Sequence, residues 1–168
     1  MSTAATDTAD SRLGPLGALV GTWTGTGHGI YPTIEPFDYL EEITVTDGGV
    51  KPFLFYVQRT RAASDGRPLH AEAGYLRWAG GAPELVIAQP TGMTEAHHGV
   101  ITTDDDGALI ITFDSVALAA TGTAKRVDSV TRELRLLGGE LVYELWMAAV
   151  GEPHQLHLRA TLTRTVPL

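Results

Sequence analysis

Gly48-Gly49, Ser64-Asp65-Gly66, Gly80-Gly81, Asp104 to Gly107 and Gly138-Gly139 punctuate this chain along its length. Such residues reach the left-handed backbone conformations that hairpin turns require. With the other Pro- and Gly-bearing stretches, turn signals recur about every 10 to 15 residues, and most segments between them alternate apolar and polar side chains, the two-residue period of strands. A chain interrupted so often has no room for a long helix. The spacing predicts an all-β fold of roughly ten antiparallel strands closed into a barrel. At 168 residues one domain is expected, over 12–168, after a small, polar and disordered segment over 1–11. Leu13, Leu16, Leu19 and Val20 have helix-like spacing but include Gly14 and Pro15, which predicts only a short helical turn across one barrel end.

The first strand, expected from about Thr22 to His28, carries Gly21, Trp23, Gly25 and Gly27 on one face and Thr22, Thr24 and Thr26 on the other. Glycine inside a strand marks a bend or the close approach of another backbone, and Trp23 is expected to plug one end of the interior. After Tyr31-Pro32-Thr33, a second strand groups Phe37, Tyr39, Glu41, Ile43 and Val45. A third, Pro52 to Arg61, has apolar residues on both faces, with Phe53, Phe55 and Val57 set against Leu54, Tyr56 and Gln58. Further on, Ala-rich Ser115 to Thr123 reads as a bend or an irregular connection. Lys125 to Leu137 reads as Val127, Val130, Leu134 and Leu136 opposed to Arg126, Asp128, Arg132 and Arg135.

A net charge of −8 argues against nucleic acid and anionic membrane surfaces as partners. With no cysteine there is no disulfide, thiolate nucleophile, iron–sulfur ligand or thiolate-bound haem. No apolar run approaches the ~20 residues of a membrane span, and Met1 to Ser11 lacks the regions of a secretory signal, so a cytoplasmic protein is expected. Candidate metal ligands are therefore His28, His70, His97, His98, His154 and His157 with the carboxylates. No H-E-x-x-H motif, nucleophile elbow or phosphate-cradling loop is present. His97 and His98 are neighbours and point to opposite faces of a strand. Glu41 and Glu42 diverge in the same way and do not read as a catalytic pair. His28, His70 and His154 read as surface or hydrogen-bonded residues. Strict alternation puts His157 with Arg159, Thr161 and Thr163, opposite Leu156, Leu158, Ala160 and Leu162, unless a bulge after Pro153 shifts the register.

The pattern G-x-W-x-G-x-G at Gly21 to Gly27, followed by Tyr31-Pro32-Thr33 and Phe37-Asp38-Tyr39-Leu40-Glu41-Glu42, resembles the nitrobindin family of haem-binding β-barrels. The resemblance runs from about Leu13 to Arg164. It includes Lys51-Pro52-Phe53-Leu54, Gly74-Tyr75-Leu76-Arg77 and the closing segment Met147 to Leu158. It implies haem b as cofactor, with His157 as axial iron ligand and catalytic centre and Thr33 as a haem contact. Lys125 is a candidate partner for a haem propionate. The implied activity is isomerisation of peroxynitrite to nitrate at a ferric iron, by O–O cleavage and recombination, together with nitric oxide binding. A homodimer is also implied, and the two-sided apolar strand Phe53 to Val57 fits one. The alternatives are a non-catalytic barrel carrying a fatty acid or another apolar small molecule, and a gas sensor read by a partner.

Overall fold

The computed structural model describes residues 12–165. The disordered segment expected over 1–11 lies outside them. A 3₁₀ helix, Gly14–Leu19, is followed by ten strands: β1 (Gly21–Tyr31), β2 (Ile34–Asp47), β3 (Phe53–Ala62), β4 (Pro68–Ala79), β5 (Ala82–Ala88), β6 (Met93–Thr103), β7 (Leu109–Ala120), β8 (Val127–Leu137), β9 (Glu140–Ala149) and β10 (Gln155–Thr165). Each strand pairs antiparallel with the next, and β10 returns to β1 to close the barrel. Closure gives every strand a neighbour on both sides, which is how a sheet of short strands avoids pairing with other chains.

The glycine turns fall where expected. Gly49, Gly66, Gly80, Gly81, Gly107 and Gly138 all sit at positive φ between strands. The 3₁₀ helix lays Leu16 and Leu19 over one barrel end. Beneath them Trp23 is fully buried, its indole N–H donating to the Leu19 carbonyl at 2.9 Å and its ring covered by the Arg164 guanidinium at 4.5 Å. That end is therefore plugged.

On β1 the glycines serve close packing. A Cβ on Gly25 would fall on the Thr161 carbonyl of β10, while Gly27 and Gly29 leave room for the rings of Tyr39 and Phe37 from β2. The interior thus opens towards the other end of the barrel.

Two sequence expectations fail. Ser115 to Thr123 is an irregular connection only past Ala120, because β7 continues to Ala120 by pairing with β6, through a register shift at Ala96/His97. Its pairing with β8 stops at Asp114–Thr131, so 115–120 is bonded on one side as strand, with one further link from the Val130 N–H to Ser115 Oγ at 3.1 Å. Arg132 also does not belong with the outward charges of β8. It shares the inner face with Val130, Leu134 and Leu136 and is 2 % exposed. Counting by twos from Leu134 puts it there; the charge suggested otherwise.

Candidate functional site

The open half of the barrel encloses a cavity of about 960 Å³. Its walls divide by chemistry. Ile34, Phe37, Met93, Val127, Met147 and Leu158 make one part apolar, whereas Gln58, Thr60, Glu72, Glu95, Arg132 and Tyr143 furnish a polar floor. Cavities of this size and mixed lining accommodate large organic ligands and cofactors.

His157 lines the cavity because of a bulge. On β10, Leu156 pairs with Trp146 and Leu158 with Leu145 of β9, so His157 has no strand partner. A two-against-one bulge brings consecutive side chains towards one face, and both His157 and Leu158 face the cavity. The register shift between Gly29 and Tyr31 lies alongside, and the Ile30 carbonyl there is 2.9 Å from His157 Nδ1. A carbonyl only accepts, so Nδ1 carries the hydrogen and Nε2 keeps its lone pair. No hydrogen bond to Nε2 occurs among the described residues. The ring stands edge-on to Tyr31 and Phe37, with centroids at 5.3 and 6.4 Å. Burial lowers its pKa, the Ile30 bond opposes this, and charge on His70 lowers it further, so the imidazole is held neutral. A neutral imidazole fixed through Nδ1 is the arrangement in which histidine donates Nε2 to a metal.

The polar floor was not foreseen from the sequence. Arg132 donates to Glu72 through both terminal nitrogens, at 2.5 and 3.0 Å, to Glu95 at 2.9 Å and to the Tyr143 hydroxyl at 3.1 Å. Tyr56 donates to Glu72 at 3.0 Å. Burial alone would raise the Glu72 pKa, but the Arg132 charge and the bonds from His70 and Arg132 prevail and bring it down to about 2. Glu41 differs. Among the described residues it has only the Gln58 amide as a hydrogen-bond donor, and burial, aided by the Glu72 charge, pushes its pKa up to about 7.

The remaining candidates separate. Thr33 is exposed in the two-residue turn between β1 and β2, and Lys125 is exposed in the loop before β8. Neither lines the cavity, although Ile34, next to Thr33, and Val127, two residues after Lys125, do. His97 is buried but spent on Glu95 at 2.7 Å, outside the cavity lining, and His98 is exposed on the outer face. The cavity's second imidazole is His70. His28 and His154 pair at the surface with Asp38 and Ser129, and Glu41 and Glu42 diverge inward and outward as expected. Among the described residues no cluster of three or more His, Asp or Glu could hold a bare metal ion. A metal here needs a carrier that brings most of its own ligands. The donor set suits haem: one neutral imidazole, no thiolate, and apolar walls beside it.

Comparison with known proteins agrees with that geometry. Residues 12–164 match the family described as the THAP4-like, heme-binding β-barrel domain, and the chain belongs to that family. It is 50 % identical over 153 residues to "Peroxynitrite isomerase 1" of Mycolicibacterium paratuberculosis, covering 90 % of this chain and 94 % of the other. It is 51 % identical over 157 residues to "Peroxynitrite isomerase" of Nocardia farcinica, covering 90 % of each. The crystal structure of Rv2717c from M. tuberculosis superposes with a TM-score of 0.81 at 45 % identity, covering 92 % of this chain and 99 % of that one.

Proposed function

We propose that this protein is a haem-dependent peroxynitrite isomerase in which His157 is the axial ligand of haem b, and that the same iron binds nitric oxide. The observation carrying the proposal is the cavity-lining imidazole whose Nδ1–H is held by the Ile30 carbonyl, leaving Nε2 as donor. The names of relatives with about half their residues identical supply the reaction.

Bound at His157, ferric haem would supply a Lewis-acidic iron with a further coordination position for a small anion. The chain's part is to bind, orient and exclude water. Ile30 fixes the imidazole, burial keeps it unprotonated, and Phe37, Met147 and Leu158 give an apolar wall for a macrocycle. Peroxynitrite and nitrate contain the same atoms and charge, so the conversion consumes no oxidant or reductant. The reading takes residues 12–168 as one haem-binding domain in a cytoplasmic setting. Thr33, next to cavity-lining Ile34, and Lys125, two residues before cavity-lining Val127, are assigned to the edge of the cofactor, where an ammonium suits a propionate.

Titrating the protein with haemin tests the site. The expected result is a saturable Soret band at one haem per chain, with accelerated stopped-flow decay of peroxynitrite to nitrate. His157→Ala is expected to abolish both. A normal Soret band in that variant would reject His157, and co-purified lipid with no haem uptake would favour the carrier.

We further infer a homodimer. Phe53, Phe55 and Tyr75 form a ring cluster on the outer face of β3 and β4, with centroids 5.4 to 5.6 Å apart. Phe55 and Tyr75 are each 44 % exposed, an apolar patch of the kind partner surfaces cover.

A further inference from the structure

The polar floor has one outlet towards the cavity that the axial ligand does not use. Thr60 of β3 pairs with His70 of β4 and Arg61 with Pro68, so Leu69 is the extra residue of a bulge, and both Leu69 and His70 line the cavity. The backbone N–H of His70 is tied to Thr60 Oγ1 at 3.1 Å. Its Nε2 lies 3.3 Å from Glu72 Oε2. Glu72 is ionised, so it only accepts, and the hydrogen of that bond belongs to Nε2. With that hydrogen at Nε2, the lone pair of an imidazole lies at Nδ1. Glu72 itself cannot turn, being clamped by Arg132 and Tyr56.

We propose that His70 is a second catalytic residue: its Nδ1 takes the proton from peroxynitrous acid, the protonated form of the substrate. This rests on the haem reading above. Nitrate forms from the acid only with loss of a proton. The O–H bond breaks with its electron pair left on oxygen, and an Nδ1–H bond forms. The resulting imidazolium faces the Glu72 carboxylate, which stabilises it as a carboxylate does in any carboxylate–histidine dyad. With its side chain 30 % exposed, His70 then releases the proton to water, and the ring is restored. Electron count is unchanged and no co-reactant is needed. His70 and His157 line one cavity. Of the other ionisable groups there, Glu95 and Arg132 pair with each other in the floor, and Glu35, Asp38 and Arg67 are exposed at the rim.

Hydrogen cyanide isolates this proton transfer, because ferric haem takes up the anion while cyanide is mostly protonated at neutral pH. In haem-loaded protein, His70→Gln keeps a donor for Glu72 but removes the basic nitrogen. It is expected to slow cyanide association at pH 7 on the order of 100-fold, as loss of a positioned base does. Nitric oxide association, which moves no proton, should stay within about twofold. Equal cyanide rates in the two proteins would overturn the proposal. In the haem-free protein, long-range ¹H–¹⁵N spectra should show His70 protonated at Nε2, and a ring protonated at Nδ1 overturns it independently of haem. Absence of any Soret band in the unaltered protein would overturn the haem reading as well, so the two failures are told apart.

Discussion

Glu41 is 3 % exposed, receives one bond from Gln58 and leaves Oε2 without a partner among the described residues. Its pKa of about 7 in the fold stands above the ordinary 4.5. The folded protein therefore holds a proton that the unfolded chain gives up, and stability falls as pH rises from about 4.5 to 7. At ~1.4 kcal/mol per unit this is roughly 3 kcal/mol. Glu72 has the opposite sign, its contribution being lost as pH falls below 4.5 towards 2. Urea unfolding at pH 5 and 7.5 checks the first effect: Glu41→Gln is expected to lose less stability than the parent between the two values. Parallel curves would place the titration elsewhere. Little of this floor was legible in the sequence. Glu41, Glu72, Glu95 and Arg132 occupy inward positions in strands whose periodicity is plain, but charge is ordinarily an outward marker. A barrel that builds a polar interior inverts that marker. His157 was legible only through the family pattern, since alternation alone sent it outward.

Strands and turns were easier to read than their irregularities. The glycine-bearing turn signals marked five of the nine connections between strands, and the face assignments for β1 to β3 hold throughout. The bulges at His157, Leu69 and Ala96/His97 had no such mark, because a one-residue slip is set by both partner strands and neither shows it alone. Ser115 to Ala120 was misread for a related reason: its alanines lack strand propensity, and pairing with β6 overrides that. The in-strand glycines carry the heaviest local constraint. An added Cβ at Gly74 of β4 would fall on the Val86 carbonyl of β5, which as backbone cannot swing aside. Gly74→Ala is expected to cost about 2–3 kcal/mol by denaturant unfolding. A loss below about 0.5 kcal/mol would mean that β4 and β5 separate more easily than their pairing implies.

At the scale of the molecule, one end of the barrel is stoppered by Trp23 and the 3₁₀ helix, and everything polar and reactive faces the other. The aromatic patch on β3 and β4 lies on the outer wall, so association through it need not obstruct the cavity. Sedimentation at micromolar concentration is expected to give a dimer that Phe55→Lys converts to a monomer without changing haem uptake. A monomeric parent would dismiss the dimer. No helix among the described residues is long and apolar enough to cross a membrane. The stretch 115–120 hangs from β6 alone except for the Ser115–Val130 link, next to cavity-lining Met93, Val127 and Val130. Parting that stretch from β8 would break a single link among the described residues, from the Val130 N–H to Ser115 Oγ, and would leave its ladder to β6 whole.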